Sequence, residues 1–147
     1  MEDIRILFVD DETEYLETVI KRMKKRGFDV TGAGSGAEAM ALMASQRFDV
    51  LILDVRMPRM DGIEVLRAVK RQFPLVEVIM LTGHASMEVA IEGMELGAFD
   101  YLMKPVDVDE LIYKAQDAYQ RRTLQVQKID KIKKKQGGDL EDSDEPR

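Results

Sequence analysis

The sequence predicts an α/β fold in which helices cover both faces of a parallel β-sheet. Five short apolar runs alternate with five segments in which apolar residues recur every three to four positions. Three of these runs are apolar almost throughout, which is typical of parallel strands that are buried on both faces. Gly27, Pro74 and Gly97 separate helical segments from the strands that follow. This alternation favours a doubly wound sheet.

The first strand and helix are predicted from the N-terminal residues. Residues 4–9 are apolar with one interruption, and two aspartates follow them. The next segment has apolar residues at the spacing of one buried helix face, namely Leu16, Val19, Ile20 and Met23. Gly27 ends this helix, and a second, weaker strand begins at Phe28.

The second helix and the third strand follow. Ser35 is a predicted N-cap, and Glu38 is placed three residues later to complete a capping box. We expect the buried face of this helix to consist of Ala37, Met40, Ala41 and Ala44. Residues 50–53 are the most uniformly apolar run, and Asp54 ends it. They predict a central strand.

The second half of the chain repeats the alternation. A third helix is indicated by Ile63, Leu66, Val69 and Phe73, and it ends before Pro74. Residues 76–81 predict the fourth strand, which ends at Thr82. Ser86 is a predicted N-cap of the fourth helix, whose inner face is expected to contain Met87, Ala90, Ile91 and Met94. Residues 99–103 predict the fifth strand, and the fifth helix follows with Val108, Leu111, Ile112, Ala115 and Tyr119.

The last 25 residues have a different pattern. The apolar period weakens after Tyr119, and a lysine-rich stretch follows. We predict a helical extension to about Lys135, a break at Gly137-Gly138, and then a disordered, mostly acidic tail. The sequence therefore divides into a domain at 1–122 and a helical extension with a charged tail at 123–147.

Polar residues end four of the predicted strands. Asp10 and Asp11 follow the first strand, Asp54 the third, Thr82 the fourth and Lys104 the fifth. Right-handed crossovers and the buried character of strands 1, 3 and 4 favour the order 2-1-3-4-5. Because the carboxyl ends of parallel strands lie at one edge of the sheet, we expect these side chains to converge there.

The combination of these groups suits phosphoryl transfer. Three neighbouring carboxylates repel each other unless a cation is present, and oxygen ligands without histidine or cysteine favour Mg²⁺. Lys104 and Thr82 can hold phosphoryl oxygens while a carboxylate attacks phosphorus. A single aspartate at a strand end is more often a helix cap, so the prediction depends on the whole set.

Composition excludes several classes of protein. The 147 residues carry a net charge of −6, whereas nucleic-acid-binding domains usually carry a basic face. The absence of cysteine excludes disulfides, thiol catalysis and zinc–thiolate sites. No apolar run approaches the ~20 residues of a membrane span, and the N-terminus lacks the pattern of a signal peptide. We expect a cytoplasmic protein without direct nucleic-acid or membrane contacts.

Four motifs occur in order along the chain: ILFVDDE, DVLILDVRMPRMDG, LTGHA and GAFDYLMKP. With these motifs, residues 4–120 resemble the receiver domains of bacterial response regulators, which belong to two-component systems. The resemblance is to receivers of the chemotaxis-regulator type. The resemblance implies a flavodoxin-like fold and a Mg²⁺-dependent phosphoacceptor. Such a module is not a separate enzyme, although it catalyses its own phosphorylation and dephosphorylation.

The resemblance also implies a role for each site residue. Asp54 would accept the phosphoryl group. Asp11, Asp54 and the backbone carbonyl of Arg56 would bind Mg²⁺ directly, and Asp10 would hold metal-bound water and orient the site. Lys104 would pair with Asp54 and later with the phosphate. Thr82 and Tyr101 would form the switch. The Lys104-Pro105 bond would be cis.

Two positions, Arg56 and His84, differ from well-known members of the family. In the functional interpretation they tune the access of water to the phosphoaspartate, and so its lifetime. The alternative for His84 is an exposed loop residue without a role.

The implied partners are a sensor histidine kinase or phosphotransfer protein and a downstream protein target. A homodimer through helix 4, strand 5 and helix 5 is a further expectation. No output domain fits after residue 120, so the chain is either a stand-alone receiver or a part of a longer regulator. Because its acidic ending resembles a natural terminus, we expect a stand-alone receiver.

Two other classes of function are weighed against this one. A haloacid-dehalogenase-like phosphatase would need an Asp-x-Asp motif after the first strand, whereas Asp10 and Asp11 are adjacent. An interaction module independent of phosphorylation would not require the intact set of acids, threonine and lysine. Turnover of small phosphate esters would favour the first alternative, and unchanged partner binding by Asp54→Asn would favour the second.

Overall fold

The computed structural model describes residues 3–55, 62–83 and 87–144, with side chains described as far as residue 136. Within these ranges, strands and helices alternate along the chain. The strands are β1 (Arg5–Val9), β2 (Asp29–Ala33), β3 (Val50–Asp54), β4 (Glu77–Thr82) and β5 (Asp100–Met103). The helices are α1 (Thr13–Lys25), α2 (Gly36–Ser45), α3 (Gly62–Gln72), α4 (Met87–Glu95) and α5 (Val108–Asp144).

The strands form one parallel sheet in the order β2-β1-β3-β4-β5, as predicted. The weakly apolar β2 lies at one edge of the sheet. Every residue of β3 and β4 is buried, which agrees with their interior positions. The direction of chain progression reverses between β1 and β3, and the crevice beyond the carboxyl ends of two such strands is where these sheets bind ligands.

The core consists of two hydrophobic layers, one on each face of the sheet. Successive residues of a strand face opposite sides. In β1, Ile6 and Phe8 therefore pack with α1 and α5, whereas Leu7 and Val9 pack with α2, α3 and α4. The residues of β3 and β4 divide in the same way. Burial on both faces explains why these strands are apolar runs without alternation.

The predicted buried face of α2 is wrong. The helix buries Gly36, Ala39 and Met43. Three residues predicted to be buried are instead exposed: Ala37, Ala41 and Ala44. Because small apolar residues occur on every side of this helix, their spacing indicates no single direction toward the core.

The predicted inner face of α4 is also wrong in part. Ala90 is buried as expected, but Ile91 and Met94 are 56% and 38% exposed. The helix approaches the sheet at Gly93, where an added Cβ atom would lie 2.1 Å from the Sδ atom of Met80. The smallest residues of α4 therefore face the core, because only they permit this close packing.

The predicted helix boundaries are confirmed at several points. The Oγ atom of Ser35 accepts a hydrogen bond from the backbone N–H of Glu38 at 3.1 Å, which caps α2. Glu38 in turn accepts from the N–H of Gly34 at 2.7 Å, one residue earlier than in a capping box. Gly27 and Gly97 have φ angles of 89° and 106°, and each follows the end of a helix.

The length of α5 differs from the prediction. The helix continues through Gly137-Gly138 to Asp144, whereas a break was expected at the two glycines. A glycine costs about 1 kcal/mol relative to alanine within a helix, but its backbone can still adopt helical angles. Neither α5 nor any other helix in the described ranges is long and apolar enough to cross a membrane.

Candidate functional site

The ends of β1, β3, β4 and β5 bring the predicted polar residues to one edge of the sheet. Asp10 directly follows β1, and Asp54 is the last residue of the neighbouring strand β3. Thr82 ends β4, and Lys104 directly follows β5. The N–H of Lys104 donates to the carbonyl of Thr82 at 2.7 Å, which joins the ends of these two strands.

The ammonium group of Lys104 lies among three carboxylates. Its Nζ atom is 2.9 Å from Asp10 Oδ2, 3.1 Å from Glu12 Oε1 and 3.5 Å from Asp54 Oδ2. It donates hydrogen bonds to Asp10 and Glu12. The expected convergence of Asp10, Asp54 and Lys104 is therefore confirmed.

The surroundings of Lys104 favour its charged form. Burial lowers the pKa of the ammonium group, because a charge is less stable away from water. The hydrogen bond to Asp10, the charge of Asp54 and the hydrogen bond to Glu12 outweigh this effect. The pKa of Lys104 is therefore raised above its ordinary value, and the group carries a positive charge at neutral pH.

Asp10, Glu12 and Asp54 form an acidic cluster in which one oxygen of each carboxylate lies within 4.8 Å of the others. Asp10 is completely buried, and Asp54 is 5% exposed. Oxygen donors without histidine or cysteine are the ligand set that suits Mg²⁺. Carboxylates at this separation repel each other, most strongly where they are buried as Asp10 and Asp54 are, and a divalent cation offsets that repulsion. The cluster therefore fits the predicted metal.

Sequence reasoning did not identify Glu12. The acidic cluster contains Glu12, whereas Asp11 is exposed and is not part of it. Asp10 and Glu12 are joined by a local turn, because the backbone N–H of Glu12 donates to Asp10 Oδ1 at 2.9 Å across the bend at Asp11. The spacing between Asp10 and Glu12 is the signal that could have found this residue. The role of Asp11 as a direct metal ligand stays a prediction.

Thr82 has a buried hydroxyl group at the same edge of the sheet as the acidic cluster. The residue before it, Leu81, is the register partner of Asp54 across β3 and β4. Thr82 is 1% exposed, and its Oγ1 atom has no hydrogen-bond partner in the described part of the chain. Since buried hydroxyl groups are normally hydrogen-bonded, this group is suited to bind an additional acceptor such as a phosphoryl oxygen.

Tyr101 lies in β5, where it is the register partner of Met80. Its side chain is half-buried and packs against the layer that contains α2, α3 and α4. Its role as a switch stays a prediction.

Other predictions fall partly outside the described residues. Arg56, His84 and Ser86 lie outside them, so their predicted roles stay predictions. The Lys104-Pro105 peptide bond is described and is cis, as the resemblance implied.

The fold and the site together define a class of protein: a flavodoxin-like α/β domain with a lysine and an acidic cluster at the carboxyl edge of the sheet. Comparison with known families gives a closer assignment. The model of the response regulator receiver domain matches residues 6–116, and the chain belongs to this family. It is a receiver domain of the kind found in two-component response regulators.

Curated relatives include two regulators from Escherichia coli (strain K12). The chain is 38% identical to the regulatory protein AtoC over 120 residues, which are 82% of this chain and 26% of that protein. It is also 38% identical to the DNA-binding transcriptional regulator NtrC over 108 residues, which are 73% of this chain and 23% of that protein. The chain thus spans about a quarter of the length of these relatives.

Solved structures of receiver domains are similar along most of the chain. A receiver domain protein from Clostridium thermocellum aligns with a TM-score of 0.79 and 35% identity, covering 82% of this chain and 98% of that chain. A CheY-like receiver domain protein from Methanospirillum hungatei JF-1 aligns with a TM-score of 0.79 and 30% identity, covering 84% of this chain and 99% of that one.

Proposed function

We propose that this receiver domain accepts a phosphoryl group on Asp54 and changes its protein contacts as a result. The observation that carries the proposal is the 3.5 Å approach of the Lys104 ammonium to the Asp54 carboxylate, next to two further acids. The position of this group at the carboxyl edge, where such sheets bind ligands, supports the proposal. Membership of the receiver family supports it independently.

The proposed donor is a phosphohistidine of a sensor histidine kinase or of a phosphotransfer protein. An oxygen of Asp54 attacks phosphorus in line, and the bond between phosphorus and the donor nitrogen breaks as the new bond forms. Lys104, which is charged at neutral pH, stabilises negative charge on the transferring group. The buried hydroxyl of Thr82 donates to another phosphoryl oxygen.

The proposed cofactor is Mg²⁺, held by Asp10, Asp11, Asp54 and the backbone carbonyl of Arg56. Glu12 is added to this set because its carboxylate belongs to the acidic cluster. When bound, the ion offsets the negative charge of the carboxylates and of the phosphoryl oxygens.

The proposed reset reaction is hydrolysis of the phosphoaspartate. A water molecule attacks phosphorus, the carboxylate of Asp54 is restored, and inorganic phosphate leaves. We infer that Arg56 and His84, which follow β3 and β4, tune the access of this water.

The proposed output surface consists of α4, β5 and α5. Phosphorylation attracts Thr82 and Lys104, and Tyr101 responds as a two-state element. Exposed apolar side chains on α4 and α5 support this surface, because such side chains often mark contact sites: Ile91, Met94 and Tyr113, at 56%, 38% and 72% exposure. The partners inferred for it are a downstream protein and a second copy of the chain.

Phosphorylation with acetyl phosphate tests the proposed function. The wild-type protein, incubated with acetyl phosphate and Mg²⁺, should gain the mass of one phosphate. The variant Asp54→Asn should gain none, and EDTA should abolish the gain. Asp117→Asn, which removes an exposed carboxylate from α5, is the matched control and should behave as wild type. A gain of phosphate by Asp54→Asn equal to that of wild type would contradict the proposal.

Two further measurements address the oligomeric state and the phosphatase alternative. Light scattering before and after phosphorylation measures whether a dimer forms. Turnover of small phosphate esters would indicate a phosphatase instead, although the lone acid at the end of β3 and the adjacent acids after β1 do not favour that class.

A further inference from the structure

The aromatic ring of Tyr15 contacts the ammonium group of Lys104. The Nζ atom lies 4.7 Å from the centre of the ring, within the distance of about 6 Å at which a cation is attracted to an aromatic face. Tyr15 is the third residue of α1, and its side chain packs against the hydrophobic layer that α1 and α5 share. The proposed metal and phosphoacceptor roles leave this contact unexplained.

We propose that Tyr15 is a positioning residue, whose ring holds the Lys104 ammonium at the place where the phosphoryl group arrives. This inference rests on the proposed phosphoacceptor function. It adds Tyr15 to the acids, the threonine and the lysine that are proposed to carry out that function.

The ring of Tyr15 is itself fixed by the core. Its centre lies 6.3 Å from that of Phe8, and the two ring planes meet at 68°, which is an edge-to-face arrangement. Phe8 is completely buried in β1, two residues before Asp10. The orientation of the Tyr15 ring is therefore tied to the strand that carries the fully buried acid of the site.

A fixed aromatic ring can restrain the flexible side chain of a lysine. The side chain of Lys104 is long and flexible, and confining it costs rotamer entropy. Its carboxylate contacts must change when a metal ion and a phosphoryl group arrive, because both alter the charge beside Asp54. The contact with the uncharged ring does not depend on those charges. It can therefore hold the ammonium group through the reaction.

The face of the ring, rather than the hydroxyl group, accounts for this role. The Tyr15 hydroxyl is buried and has no hydrogen-bond partner in the described part of the chain. Burial raises the pKa of Tyr15, Lys104 lowers it, and the nearby acids raise it further, so that the net pKa is above its ordinary value. The hydroxyl is thus neutral at physiological pH and offers Lys104 no negative charge.

Three variants separate the ring from the hydroxyl and from general packing. Tyr15→Phe keeps the ring, and Tyr15→Leu removes it. Tyr119→Leu is the matched control, since Tyr119 is a half-buried tyrosine of α5 that packs against the same hydrophobic layer. Each is phosphorylated with acetyl phosphate over a range of Mg²⁺ concentrations and followed by intact mass.

We expect Tyr15→Phe and Tyr119→Leu to retain the wild-type rate. Tyr15→Leu should lower the rate at saturating Mg²⁺ by roughly five-fold, which corresponds to the loss of one cation–π contact. The Mg²⁺ concentration that gives the half-maximal rate should change little. The inference is overturned if Tyr15→Leu matches wild type, or if Tyr15→Phe or Tyr119→Leu is as slow as Tyr15→Leu.

A second measurement requires no phosphoryl donor and distinguishes this inference from the proposed function. In NMR spectra, the ring should shield the Cε protons of Lys104 in wild type and in Tyr15→Phe. Unshielded Cε protons in wild type would overturn the contact, even if Asp54 is phosphorylated or Tyr15→Leu does not fold. Shielded protons in a wild-type protein that takes up no phosphate would support the contact while the proposed function fails.

Discussion

At the scale of single residues, Lys104 links the stability of the site to its chemistry. Its ammonium group contacts Asp10, Glu12 and Asp54, and Asp10 has no exposed surface. If the positive charge is lost, these carboxylates keep their mutual repulsion without that counterion.

We predict that Lys104→Met lowers the free energy of unfolding by about 2 kcal/mol at pH 7, because hydrogen bonds to charged groups are lost. It should also remove most of the phosphorylation by acetyl phosphate. Urea unfolding measures the first effect, and intact mass measures the second. Lys128→Met, at an exposed position of α5, is the control and should change neither.

The pH dependence of this effect follows from the raised pKa of Lys104. A group with a raised pKa in the folded state contributes its full stability below its unfolded pKa, about 10.4 for lysine, and loses it as pH rises through the folded value. The stability difference between wild type and Lys104→Met should therefore stay constant from pH 7 to about pH 9.5. A steady decline across that window would contradict the assigned pKa direction.

At the scale of secondary structure elements, α5 is attached to the sheet at the edge opposite to the site. Asp49 precedes β3 and Glu77 begins β4, and both are buried. Arg122 Nη1 lies 3.3 Å from Asp49 Oδ1, and Arg121 Nε lies 3.0 Å from Glu77 Oε2. Two successive arginines of α5 thus pair with the acids that begin two neighbouring central strands.

We predict that Arg122→Ala lowers the free energy of unfolding by about 2 kcal/mol, because it removes a charged partner of a buried carboxylate. The N–H of Arg5 still donates to Asp49 at 2.9 Å, which keeps the loss moderate. Urea unfolding is the measurement, with Lys128→Ala as an exposed control expected to change stability by less than about 0.5 kcal/mol. Equal effects of the two substitutions would mean that the buried ion pair contributes nothing.

The secondary structure elements also show how much of the structure could be predicted from the sequence. The order of elements and of strands was predictable, because strands buried on both faces are continuous apolar runs and the α5 face has a clear period. The face of α2 was not predictable, because small apolar residues occur on every side of that helix. The face of α4 was not, because the close approach to Met80 places Gly93 and Ala90 toward the core and leaves the larger Ile91 and Met94 exposed. Glu12 was missed because it lies in the turn between β1 and α1, where the periods of helix and strand do not apply and only its separation of two residues from Asp10 points to it.

At the scale of the whole molecule, the acidic cluster should couple the binding of Mg²⁺ to global stability. An ion that binds only the folded state stabilises it by mass action. We predict that Mg²⁺ at about ten times its dissociation constant raises the melting temperature by a few degrees. Thermal unfolding followed by circular dichroism is the measurement.

Two variants test whether that stabilisation comes from the site. Asp54→Asn should show a smaller Mg²⁺-dependent rise in melting temperature than wild type, and Asp117→Asn should show the full rise. A full rise in Asp54→Asn would place the bound ion elsewhere on this acidic chain.

The attachment of α5 near Arg121 and Arg122 makes the remainder of the helix a lever. From Arg122 to Asp144 the helix spans roughly 33 Å, at about 1.5 Å per residue. A tilt of about 5° at its base would displace its far end by roughly 3 Å over that length. A motion of the domain too small to disturb its own core could therefore become a displacement that another protein can detect at the tip.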